Sequence, residues 1–193
     1  LYTPTLLVSY GGPWSENYFY EHFDIHDNAK VKRFMPHDEI DQRAERRPWF
    51  RENQYVFPRI AGAANAILKA GGHIGLGGHG QMDGLGDHWE LWAMAAGGMT
   101  PHDVLKVATI HGANAIGMEQ DLGSLEPGKL ADLIVLDANP LEDIHNTNSV
   151  RYVMKNGRLY EGETLNEIYP RQRTLPRMWW WGGEPTARAE TPR

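Results

Sequence analysis

The chain contains no cysteine, so disulfides, thiolate catalysis and thiolate metal ligands are all excluded. It also lacks a basic excess. Nineteen Lys and Arg stand against 25 Asp and Glu, for a formal charge of −6, whereas a dedicated nucleic-acid binder shows a basic stripe and a high isoelectric point. The locally basic residues 43–51 read as a solvated helix end. No apolar run approaches the ~18 residues of a membrane span, and no signal-like segment opens the chain. These absences predict a soluble protein of the cytoplasm or periplasm, with neither nucleic acid nor membrane as partner. With 193 residues, 41% of them hydrophobic, the chain can bury one core of its own.

The segments that are present alternate in type. Residues 3–9 carry Leu6, Leu7 and Val8 in an unbroken apolar run stopped by Gly11, Gly12 and Pro13, the pattern of an interior strand. Leu1 is no initiator, so a chain opening on a core strand carries the expectation of lost preceding polypeptide. Residues 14–55 are aromatic, charged and too irregular for one helix. They predict an ordered excursion over a site, with one short helix near residues 38–46. From Pro58 onward Ile60, Ala63, Ala64, Ile67 and Leu68 recur at helical spacing, and Gly71-Gly72 offers a left-handed cap. Residues 73–77 follow as a short strand. Asp87 with Glu90, and Thr100 with Asp103, have the spacing of capping boxes, with Pro101 at a first helical position. Helices are predicted over residues 87–96 and 100–116. On the second, Val104, Val107, Ala108, His111 and Ala115 share a face, where His111 reads as a packed, hydrogen-bonded histidine. Strands over residues 131–137, 151–155 and 158–160 complete the pattern, with Asn156-Gly157 as a two-residue hairpin turn.

Strand, helix, strand, helix and then a small antiparallel unit is the tail of a β/α barrel with an appended β-domain. A whole barrel takes ~250 residues, and residues 1–116 supply two barrel-like strands. The expected fold class is therefore α/β: the C-terminal part of a (β/α)8 TIM-type barrel plus part of a small β-sandwich domain. Residues 1–129 are assigned to the partial barrel, 130–165 to the sandwich part, and 166–193 to a Trp- and Pro-rich tail that is disordered beyond residue 183. The three adjacent indoles Trp179, Trp180 and Trp181 are expected to pack on the chain's own barrel surface or against another subunit.

Residues 123–137, GSLEPGKLADLIVLD, are the most specific stretch. Gly123, Pro127 and Gly128 punctuate a fixed turn, and Leu133–Leu136 is a continuous apolar run between Asp132 and Asp137 that reads as a buried strand. With Asn139-Pro140-Leu141, this segment resembles the C-terminal signature of the amidohydrolase superfamily, especially its imidazolonepropionase-like branch. The resemblance covers residues 1–163, from strand seven of the barrel onward. It implies metal-dependent hydrolysis of C–N bonds in amides, cyclic amides or dipeptides. It also implies a divalent ion, zinc first, held in an assembled barrel. The rest of the family's site, including a His-x-His pair, does not occur in this sequence. The partner expected is the N-terminal part of the barrel or another copy of the chain.

Barrel chemistry sits at the C-terminal ends of strands, which points to GGHGQMDGLGDHWE, residues 77–90. His79 between glycines is the candidate catalytic residue and metal ligand, or else a loop histidine. The resemblance places the family's strand-eight aspartate at this position, so His79 is a departure. A neutral imidazole is a good zinc ligand and a competent base, but it adds no negative charge. Proteins fused to a TolB-type propeller look similar here, with His-Gly-Gln. Gln81, Asp83 and His88 are the candidate substrate-binding residues, while Asp87 and Glu90 read as caps. Gly75, Gly77 and Gly80 match GxGxxG, but no helix starts at the third glycine, which argues against a dinucleotide site. His22 and His26 read as loop histidines. The contrasting hypothesis is a non-catalytic barrel fragment that acts in assembly through unpaired strand edges.

Overall fold

In the computed structural model, residues 1–45 and 48–182 are described. Two distant segments meet at the start of the chain. The Tyr2 N–H donates to the His73 carbonyl (2.9 Å), the Gly75 N–H to Tyr2 (3.0 Å) and the Gly77 N–H to Pro4 (3.1 Å), a short parallel pairing centred on Tyr2 and Ile74. Gly77 permits the approach, since a Cβ there would stand 2.4 Å from the Pro4 carbonyl oxygen. The first strand is shorter than its apolar run predicts. Residues 6–8 wind into a 3-10 turn, Leu6–Val8, with both leucines fully buried. Their backbone N–H groups donate to the Glu90 carboxylate, Leu7 at 3.1 Å, so a side chain satisfies donors that a neighbouring strand would otherwise take.

The excursion holds three short helices rather than one: α1 (Glu16–His22), α2 (Ala29–Phe34) and α3 (His37–Ala44). Local polar caps divide it. Asp24 accepts from the His26 N–H at the turn Ile25–Asp27, and Asn28 accepts from Lys30 and Val31 at the start of α2. Pro36 bars α2 from continuing into α3.

Helix α4 (Phe57–Lys69) ends as its glycines predict. Gly71 has φ +83°, and the N–H groups of Gly71 and Gly72 donate back to Leu68 (3.0 Å) and Ile67 (2.9 Å), the paired bonds of a Schellman cap. Its buried stripe is turned from the predicted face. Phe57, Ala61, Ala64 and Asn65 are buried while Ile67 is 41% exposed. The packing surface is set by α5 (Leu85–Ala96), whose C-terminal neighbour Gly97 lies so close that a Cβ would stand 2.4 Å from the Ala61 carbonyl carbon.

The predicted helix over residues 100–116 is broken into α6 (Pro101–Ala108) and α7 (Ile110–Ala115). At the break, the Thr109 hydroxyl donates to the Leu105 carbonyl (2.7 Å), a back-bond that bends helices. The Thr100 cap is present, accepting from the Asp103 N–H.

Strands β1 (Leu133–Leu136), β2 (Val150–Lys155), β3 (Arg158–Glu161) and β4 (Glu167–Tyr169) form one antiparallel sheet in that order. The Asn156-Gly157 turn has φ of 49° and 74°, as a two-residue hairpin needs. Two expectations change here. β1 is an edge strand with Ile134 54% and Val135 40% exposed, not a buried one. β4 lies within the segment assigned to the tail, anchored by buried Glu167 against Arg158 Nε (3.1 Å). A single sheet, not two packed ones, is present among the described residues.

Trp92 fastens the sheet unit to the helices: its indole N–H donates to the Ile144 carbonyl (3.1 Å) and the Thr147 hydroxyl (3.0 Å). The tail returns to α2, where Trp180 and Trp181 both donate to the Arg33 carbonyl and the Arg33 guanidinium lies 4.2 Å from the Trp181 ring centroid. The indoles therefore pack on the chain itself, apart from Trp179, which is 75% exposed. The polar end after Gly182 lies outside the described residues. No helix among the described residues is long and apolar enough to cross a membrane.

Candidate functional site

The loop between the second parallel segment and α5 is shaped by two glycines that touch. A Cβ on Gly80 would stand 2.3 Å from the Gly86 Cα, so the chain doubles back on itself and only glycine fits at the crossing. Met82, 1% exposed, pins the turn from below. The result is a depression of about 200 Å³ lined by His79, Asp83 and Asp87 together with Gly78, Gly80 and Gly84. His79 is exposed at its rim. Asp87 stands in the first turn of α5, its carboxyl raised from the usual range by burial first and by the charge of Asp83 second. It is not the cap that the spacing suggested. α5 starts two residues earlier with Gly84 at the cap position and no side-chain bond there.

The excursion closes over this loop, as its position in the sequence predicts. The Gln81 N–H donates to buried Glu16 of α1 (2.6 Å), and Arg43 of α3 donates to the Gln81 carbonyl. Gln81 is thus held through its backbone between two helices of the excursion.

Of the four residues singled out in the sequence, His79 and Asp83 share the depression. His88 faces elsewhere. With Asp83 it lines a neighbouring cavity of about 240 Å³ whose other walls include Lys30, Val31, Phe34 and Met35. Burial, and then the nearby Lys30 charge, push the His88 imidazole down to about 4, and its Nδ1 is buried without a hydrogen-bond partner. His88 is therefore neutral near pH 7. His111 packs beside His73, ring centroids 6.0 Å apart, and burial lowers its pKa. His22 ends α1, stacked on Tyr18. His26 pairs with Asp41 at 3.0 Å and His22 with Glu52 at 3.6 Å, so the two have different partners.

Glu90, like Asp87, is not the cap that its spacing suggested. It is fully buried and holds the Leu6–Val8 turn rather than capping α5. Desolvation drives its carboxyl up to about 7 against the pull of the two N–H donors. The signal was available: Glu90 interrupts an otherwise apolar Trp89-Glu90-Leu91-Trp92 run on a helix, and a charged residue on a buried face needs a dedicated partner.

The donors do not make a resident metal site on their own. Zinc sites use three or four protein ligands, and among the described residues no group of three His, Asp or Glu side chains is placed to hold an ion.

Residues 38–160 match the family described as Amidohydrolase family. The chain belongs to this family. Among similar proteins is the 5-methylthioadenosine/S-adenosylhomocysteine deaminase of Teredinibacter turnerae, 49% identical over 59 residues, which is 30% of this chain and 13% of that protein. The imidazolonepropionase of Shouchella clausii is 44% identical over 79 residues, 39% of this chain and 18% of that protein. The ochratoxinase of Aspergillus niger is 36% identical over 104 residues, 52% of this chain and 22% of that protein. A solved Xaa-Pro dipeptidase with bound methionine in its active site has 36% identity and a TM-score of 0.49, covering 54% of this chain and 26% of that one. This amidohydrolase-family chain thus spans between 13% and 22% of the length of the curated relatives named here.

Proposed function

We propose that the chain is the closing portion of an amidohydrolase barrel, from strand seven onward, with part of the flanking β-domain. In the assembled barrel it serves hydrolysis of C–N bonds in amides, cyclic amides or dipeptides. The parallel pairing of residues 2–4 with residues 73–77 carries this reading. Parallel strands send their following loops to the same end, which in a β/α barrel is the reactive end, and here the His79 loop and the helical excursion meet there. Family membership supports the reaction class. The similarity to an imidazolonepropionase supports the branch to which GSLEPGKLADL points.

In this proposal His79, exposed at the rim of the depression, accepts or returns a proton at its imidazole, and Asp83 faces the substrate beside it. Gln81, its backbone anchored by Glu16 and Arg43, stands beside them as a substrate-binding residue, and His88 lines the adjoining cavity as a neutral hydrogen-bonding group. A divalent ion, zinc by preference, belongs to the assembled barrel and is held mainly by residues outside this sequence. No step is assigned to it on this chain. The partner that supplies the remaining strands is the N-terminal part of the barrel or a second copy. The alternative, a chain acting only in assembly, rests on the open edge of β1 with Ile134 and Val135 exposed.

A chimaera tests the proposal. The preceding barrel strands of Aspergillus niger ochratoxinase are joined ahead of Leu1, folding is verified by a cooperative thermal transition, and amide hydrolysis is assayed with zinc present. Hydrolysis that falls at least ~100-fold in His79→Ala, the scale of a lost acid–base group, supports it. A folded, active chimaera indifferent to that substitution refutes the role of His79. A folded chimaera with no activity, from a chain that self-associates, favours the assembly reading.

A further inference from the structure

A third concavity, of about 850 Å³, is lined by Tyr18, Phe19, Phe23, Tyr55, Phe57 and Trp92 among others, with walls from α1, α4, α5 and the Ile144–Asn148 turn. It shares no residue with the depression around His79. Its size falls in the range of small-molecule sites, roughly 300–1,000 Å³. The rings are fixed by one another. Tyr18 stands edge-on to Tyr55 at 5.5 Å and to Phe57 at 5.3 Å, and Phe23 leans on Trp92 at 4.9 Å. The Trp92 N–H is already engaged by Ile144 and Thr147, so this indole, 6% exposed, edges the cavity without a free donor.

One carboxylate belongs to the lining. Glu52 is 79% exposed and lies 3.6 Å from His22. The other imidazole of the lining, His145, is held by Asp143 at 2.7 Å. The Glu52 field reaches the aromatic wall, because the Tyr18 hydroxyl is pushed up from its ordinary value by burial first and by Glu52 second. Burial disfavours a charge of either sign, whereas the Glu52 contribution favours a cation in the same place, and ring faces left open to the cavity add to it.

We propose that this cavity binds a hydrophobic organic cation, a quaternary or alkylated ammonium bearing an aromatic or branched apolar group, with its apolar group against the aromatic wall and its charge at the rim near Glu52, beside the His22 ring that stacks on Tyr18. A neutral aromatic molecule gains the burial but not the charge attraction. An anion meets both a carboxylate and the negative ring faces.

Isothermal titration of the intact chain with benzyltrimethylammonium, benzyl alcohol and benzoate at equal ionic strength tests this. The ammonium is expected to bind saturably at one site per chain, roughly tenfold tighter than benzyl alcohol, the scale of a partly desolvated cation–π contact, with benzoate weakest. Glu52→Gln, at an exposed side chain, is expected to weaken the ammonium about fivefold and leave benzyl alcohol unchanged. Equal binding of the three probes, absence of saturable ammonium binding, or identical ammonium affinity in Glu52→Gln would each overturn the proposal.

Discussion

At the scale of single residues, two buried groups on α5 titrate in opposite senses. Glu90 is raised to about 7, so between its ordinary carboxylate value and 7 the folded state binds its proton more tightly than the unfolded chain does. Its contribution to stability is fully present at acid pH and is lost as pH rises toward 7. His88 is lowered to about 4, so its contribution is lost as pH falls from about 6.5 toward 4. The windows overlap and the slopes oppose each other. Urea midpoints measured at intervals from about pH 4.5 to 7 are therefore expected to show Glu90→Gln rising with pH more steeply than the parent, and His88→Asn rising less steeply or falling. Curves parallel to the parent in both variants would mean that neither group is desolvated as described. Little of this was legible in the sequence. The partners of Glu90 lie 84 and 83 positions away, and spacing alone made it a cap.

At the scale of elements, the features that need only near neighbours were readable. The Gly71 cap, the Thr100 cap and the Asn156-Gly157 hairpin each depend on a few consecutive residues, and each is found. The features decided by packing were not. The buried face of α4 follows the close approach of Gly97, and the bend at Thr109 follows one hydroxyl. These contacts rank two substitutions. Gly71→Ala places a Cβ on a left-handed backbone with nothing nearby, at a cost of about 1–2 kcal/mol. Gly97→Ala drives a methyl group into the Ala61 backbone, which forces α4 and α5 apart. Denaturant midpoints are expected to fall further in Gly97→Ala than in Gly71→Ala. The reverse order would show that α4 and α5 do not meet at that point.

At the scale of the whole molecule, long-range ties connect parts whose sequences say nothing of each other. Trp180 and Trp181 hold the end of α2, which walls the His88 cavity. Removing residues 179–193 is expected to speed amide hydrogen exchange across α2 while leaving the sheet of β1 to β4 unchanged. Equal protection of α2 in both forms would show the tail to be passive. The larger tie is the parallel pairing that brings residues 2–4 beside residues 73–77. The alternation of strand and helix anticipated it, although the Leu6–Val8 turn did not show in an apolar run.

The proposal to be tested is that this amidohydrolase-family chain contributes His79 to a reactive centre whose metal donors lie mainly elsewhere. Zinc bound per chain, measured by mass spectrometry of the metal after equilibrium dialysis of the purified protein at about pH 7.5, tests it most directly, because fewer than three donors hold zinc weakly. The account predicts far less than one zinc per chain and no change in His79→Ala. One tightly held zinc per chain, lost in His79→Ala, would contradict it.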